Sequence, residues 1–147
     1  MEMNQTFTFT FESRMDQVVK VTSAVKDLCA ATSLDKVELY KLELCLTEAL
    51  NNVIIHAYHN QPGKKIEVNI HLTPEAILFQ VLDTGSTPSD FLKHVTLDFN
   101  PDDIKSIPEN GMGMFIMQEF MDQISYEKKD GKNIISLRKN LKQGSLK

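Results

Sequence analysis

No stretch of this sequence approaches the roughly 20 consecutive apolar residues needed to cross a bilayer, which argues against a membrane-spanning class. The first ten residues, Met1 to Thr10, also lack a basic segment followed by an apolar run. Neither a signal peptide nor a transit peptide is visible, and a cytoplasmic protein is expected. Cysteine is scarce. Cys29 and Cys45 fall within helical apolar patterns and have no Cys-x-x-Cys spacing, which favours reduced core thiols over a disulfide. Positive charge is not in excess either: 16 Lys and Arg stand against 20 Asp and Glu, a formal net charge of −4. Such a balance offers little attraction to nucleic-acid phosphates, so no direct nucleic-acid partner is expected. Two nucleotide-binding signatures are missing as well. Pro62-Gly63-Lys64-Lys65 has neither the earlier glycine nor the following Ser or Thr of a P-loop, and there is no Gly-x-Gly-x-x-Gly. His56 and His59 lack a third ligand in local spacing, which disfavours a structural metal site.

The 147 residues are 41% hydrophobic and 24% charged, proportions of an ordinary globular protein with a packed core. We expect one domain over residues 1–141 and a flexible tail over 142–147. Phe7, Phe9 and Phe11 alternate with Thr, as in a strand with one buried face. Val18, Val21, Val25 and Leu28 then recur at helical spacing, with Ser13 and Asp16 as a capping pair. A second amphipathic helix starts near Asp35, with Glu38 three residues on, and runs through Leu42, Leu46, Ala49 and Val53 to about Tyr58. Gln61-Pro62-Gly63 breaks the chain, and two alternating strands follow around the turn Thr73-Pro74-Glu75, the second ending at Asp83. From Gly85 to Asn110 no periodicity is sustained, the mark of a lid or binding loop. A third helix from Gly111 to Met121 precedes two strands joined by Asp130-Gly131, and the methionines at 112, 114, 117 and 121 read as core filler. The order predicts an α+β fold, a two-layer α/β sandwich with its helices on one face of a mixed, largely antiparallel sheet.

Three short segments carry polar residues or glycines where chemistry could sit. Glu48 and Asn52 lie one turn apart on the second helix, beside Leu46, Ala49 and Val53. A carboxylate there is either at the wet margin of a surface helix or part of a network with a ligand or metal, and periodicity alone leaves both open. Asp83-Thr84-Gly85 falls where a strand runs out. It is either a plain turn or a carboxylate placed to accept from an exocyclic amine, with glycine allowing close approach to a planar ring. Gly111-Met112-Gly113 is either a hinge or a phosphate-binding helix start, and the two are compatible.

Taken together and in this order, the segments resemble the N, G1 and G2 boxes of the Bergerat-type ATPase fold shared by gyrase, Hsp90, histidine kinases and MutL. The closer resemblance is to bacterial anti-sigma factor serine kinases of sporulation and general stress control. It is carried by the run from Glu48 through Asn51, Asn52 and His56 to Tyr58, and by the run from Gly111 to Asp122. It implies ATP and Mg²⁺ as cofactors, Glu48 as general base, and Asn52 as the magnesium ligand, with neighbouring Asn51 the weaker candidate. Asp83 would be the adenine-binding carboxylate, and Gly85, Gly111 and Gly113 would border the nucleotide and hinge the lid. It also implies phosphorylation of a serine on a STAS-domain anti-anti-sigma partner, sequestration of a sigma factor, and a homodimer. A nucleotide-gated binding module with little kinase activity is the alternative. This sequence departs from the family in two places. Ser86-Thr87-Pro88 stands where a further glycine is common, and the lid carries Asp98, Asp102, Asp103 and Glu109 alongside Lys93 and Lys105.

Overall fold

The computed structural model describes residues 4–86 and 112–142. The expected lid beyond Ser86, Gly111, and the tail from residue 143 lie outside the described residues, as do the side chains of residues 112–114. The chain begins with strand β1 (Gln5–Glu12), helix α1 (Met15–Cys29) and helix α2 (Lys36–Asn52), which passes directly into a π-helical turn (Val53–Ala57). Strands β2 (Lys65–Leu72) and β3 (Ala76–Asp83), helix α3 (Met112–Phe120), and strands β4 (Gln123–Lys129) and β5 (Lys132–Asn140) complete it.

The strands form one sheet in the order β1-β2-β3-β5-β4, and each of its four pairings is antiparallel. The mixed component of the expected sheet is thus absent among the described strands. Alternation decides which side faces inward. Ile66, Val68, Ile70 and Leu72 of β2 are buried together with Ile77, Phe79 and Val81 of β3 and Ile135 and Leu137 of β5. Helix side chains join the same cluster, including Val18, Leu42, Leu46, Leu50 and Met117. Helix α2 packs against both α1 and α3. The opposite sheet face is polar: Thr8 Oγ1 donates to Asn69 Oδ1 at 2.8 Å, and Thr6 Oγ1 lies 3.1 Å from His71 Nδ1.

Local signals fix the ends of these elements. Asp35 and Glu38 form a reciprocal capping box at the start of α2: the Glu38 N–H donates to Asp35 Oδ1 and the Asp35 N–H to Glu38 Oε1. Asp130 and Gly131 have φ of 54° and 77°, the two positive values of a tight hairpin turn. Ser13 does not cap α1 as the sequence suggests, for Arg14 holds the cap position and has no capping side-chain bond. The Ser13 hydroxyl instead donates to Gln61 O at 2.7 Å and accepts from the Lys64 N–H at 3.0 Å. A distant loop outbids the local helix end for that hydroxyl.

Cys29 and Cys45 are free, buried thiols. Burial pushes both up to about 12, so they stay protonated and act as small core side chains. Met117 and Met121 are buried as expected of filler. No helix among the described residues is long and apolar enough to cross a membrane.

Candidate functional site

Glu48 and Asn52 are half-buried, flanked by the fully buried Ala49, Leu50 and Val53. Burial raises the Glu48 carboxyl above its ordinary value of 4.5. Directly after Asn52 the helix widens: the Tyr58 N–H donates to Val53 O, five residues back, at 2.9 Å. Such π-turns are rare and often sit at functional sites, because the extra residue re-aims the side chains on either side of it. Periodicity continues α2 smoothly to Tyr58 and does not reveal this widening, since one longer hydrogen-bonded turn leaves the apolar period almost unchanged.

The π-turn is stitched to the end of β3. Tyr58 Oη donates to Lys65 O and accepts from the Thr84 N–H at 3.0 Å. The Ser86 N–H donates to Ala57 O at 3.1 Å, and Ser86 Oγ lies 2.9 Å from His59 Nε2. A Cβ at Gly85 would stand 2.4 Å from Ala57 O and 2.7 Å from Ala57 Cβ, so only glycine fits there. The close approach that Gly85 permits is to the protein's own backbone. A cleft of about 280 Å³ opens beside this junction, bordered by Tyr58, His59, Lys64 and Gly85.

Asp83 closes the inward row of β3 that begins with Ile77, Phe79 and Val81, and it is only 4% exposed. Its Oδ1 accepts from the Gly85 N–H at 2.8 Å and from Asn133 Nδ2 at 2.7 Å. Asn133 Nδ2 also reaches Gly85 O at 3.0 Å, and the register sets Asn133 directly opposite Asp83. Both bonds fall on one oxygen, which leaves Oδ2 unused by these partners. Burial raises the Asp83 carboxyl above its ordinary 3.8, opposed by Asn133, the Gly85 amide and the charge of Lys128.

The sequence motifs do not single out Asn133. Asn133 is a buried polar residue on the row it shares with Ile135 and Leu137, so the test that singled out Glu48 would have found it. Gly113 lies in the first turn of α3, and Gly111 is outside the described residues.

The donors on α2 suit a hard cation. Asn51 and Asn52 carry amide oxygens beside the Glu48 carboxylate, and Asn51 Oδ1 is buried without a hydrogen-bond partner among the described residues. Mg²⁺ keeps several waters and takes phosphate oxygens, so one or two protein ligands suffice. A cluster of three or more His, Cys, Asp or Glu, absent among the described residues, is not required.

The chain is 28% identical over 137 residues to an anti-sigma F factor of Caldanaerobacter subterraneus subsp. tengcongensis, covering 92% of each. It is 28% identical over 101 residues to the serine/threonine-protein kinase BtrW of Bordetella bronchiseptica, covering 67% of this chain and 68% of that one. A chain from the SiaB-SiaC complex of Pseudomonas aeruginosa shares the fold, with a TM-score of 0.62 and 14% identity over 92% of this chain and 89% of that one. Residues 11–139, which include every described segment of the site, match the histidine kinase-like ATPase domain. The chain therefore belongs to the histidine kinase-like ATPase domain family.

Proposed function

We propose that this protein is a Mg-ATP-dependent serine kinase of the anti-sigma type. The observation that carries the reading is the junction of the π-turn with the end of β3, which ties the Glu48/Asn52 helix to the Asp83 carboxylate. Asp83 Oδ2 is left to accept from the 6-amino group of adenine, while Asn133 and Gly85 hold Oδ1. Gly111 and Gly113 would border the phosphates, as the resemblance implies, since backbone N–H groups and the dipole at a helix start favour anions. Asn52, with Asn51 beside it, would hold Mg²⁺, whose charge neutralises the triphosphate and the developing transition state.

Glu48 orients the attacking serine hydroxyl and accepts its proton as the γ-phosphoryl group passes from the β-phosphate oxygen to the serine oxygen. The burial that raises its pKa makes it a better base than a free carboxylate. The protein substrate is a STAS-domain anti-anti-sigma factor, and a homodimer sequesters a sigma factor. The names of the two relatives, a serine/threonine-protein kinase and an anti-sigma F factor, support the kinase and anti-sigma parts of this reading, while the STAS-domain substrate and the homodimer rest on the sequence resemblance.

Incubation with Mg-ATP and a STAS-domain partner, followed by mass spectrometry, should give a single phosphoserine on that partner. Glu48→Ala should keep ATP binding and lose transfer by about 10²–10⁴-fold, the usual worth of a general base. Stable partner binding without phosphoserine would instead identify a nucleotide-gated binding module. Failure to bind adenine nucleotide would overturn the reading altogether.

A further inference from the structure

The inward row of the sheet continues past Asp83 on two more strands. Asn133 of β5 faces Asp83 of β3 in register, and across the other edge of β5 Tyr126 faces Ile135 and Lys128 faces Asn133. Tyr126 is therefore the diagonal neighbour of Asn133 on the same face. Such neighbours lie roughly 7–8 Å apart, within reach of an aromatic side chain. Asp83 and Asn133 pair directly across β3 and β5, and Tyr126 lies one diagonal step farther on β4, on the same face of the sheet.

The Tyr126 hydroxyl is buried, yet it has no hydrogen-bond partner among the described residues. Asn51 Oδ1 is the only other buried side-chain polar atom in that condition among them. A phenylalanine would fill the same volume without burying an unpaired hydroxyl, so nothing in the packing calls for tyrosine. Burial and the nearby charge of Asp83 both raise the Tyr126 pKa, in that order. The phenol thus keeps its proton at neutral pH and remains a donor.

We propose that Tyr126 is a second base-reading residue, its hydroxyl donating a hydrogen bond to the ring nitrogen of adenine beside the amino group that Asp83 accepts. The inference rests on the nucleotide-binding reading above and adds a residue to it. Adenine presents an amine donor next to a nitrogen acceptor, and this face of the sheet presents a carboxylate acceptor on β3 and a hydroxyl donor on β4. Guanine presents a carbonyl at the amine position, which would face the Asp83 carboxylate acceptor to acceptor.

The test is Tyr126→Phe, read by titration calorimetry with ATP and with the ATP analogue whose ring nitrogen beside the amino group is replaced by C–H. Wild-type protein should bind the analogue about tenfold more weakly than ATP, the loss of one hydrogen bond at a buried group. Tyr126→Phe should lose about the same factor for ATP and show no further loss for the analogue, the non-additivity expected of direct contact. The nucleotide-free variant should melt at or above the wild-type temperature, because no hydrogen bond among the described residues is lost. Equal ATP affinity in both proteins, or additive losses from variant and analogue, would overturn the role of Tyr126 and leave nucleotide binding standing. A wild-type protein that binds no ATP would overturn both.

Discussion

In the proposed reading, Asp83 serves recognition at a cost to stability. It is a carboxylate held at the end of an apolar row, and a single oxygen takes both of its described bonds. In Asp83→Asn the amide oxygen can keep the Gly85 and Asn133 bonds, while its NH₂ replaces Oδ2, the group proposed to meet the base. The nucleotide-free variant should melt at or above the wild-type temperature, because a buried charge has been removed. Its ATP affinity should fall by about 10- to 100-fold, and its preference should move toward ITP, whose carbonyl accepts where adenine donates. Thermal melts and paired titrations with ATP and ITP would check both halves. Asn133 stands out in sequence only as a polar residue on an apolar row; that it faces Asp83 is unknown until β3 and β5 are paired.

Among the elements, α2 was legible at its start and not at its end. The Asp35/Glu38 pair is a local signal that the structure uses as written. The π-turn at the other end depends on packing against the segment after β3, 25 or more residues away, and no local pattern encodes it. Ser13 teaches the same lesson, since its hydroxyl serves a loop that arrives only with Gln61 and Lys64. Gly85 lies at this junction, and its backbone contact with Ala57 leaves no room for a methyl group. Gly85→Ala should destabilise the protein by about 1–3 kcal/mol through overpacking against backbone. Urea titration should show a lowered midpoint with an unchanged slope, and the same change at exposed Gly131, where a Cβ meets nothing within 4 Å but φ is +77°, separates crowding from backbone strain.

For the molecule as a whole, the sheet and its inward face followed from alternation, because a one-residue slip would turn Ile66, Val68, Ile70 and Leu72 to the polar side. The candidate site was legible as separate segments that the family resemblance joined; the described geometry ties the α2 segment to Asp83-Thr84-Gly85, and Gly111 of the third segment lies outside the described residues. The two raised carboxyls of the site also shape the response of the free protein to pH. Glu48 and Asp83 have folded values above their ordinary 4.5 and 3.8, so the unfolded chain releases these protons first as pH rises. Their contribution to stability is therefore fully present below the ordinary values and is lost as pH rises through the raised, folded ones. Chemical denaturation of nucleotide-free protein from pH 4 upward should show this loss, and Glu48→Gln with Asp83→Asn should flatten it. Should the double variant keep the wild-type slope, other groups set the profile.

The Tyr58 hydroxyl, which receives the Thr84 N–H while donating to Lys65 O, also makes the site observable in time. Thr84 is exposed, and its amide is shielded from exchange only while the end of β3 is docked on the π-turn. Its hydrogen-exchange rate is a clock for that docking, readable without nucleotide or partner, and Tyr58→Phe should set it running at the rate of an open chain while the Val81 amide in mid-strand keeps its own slow pace.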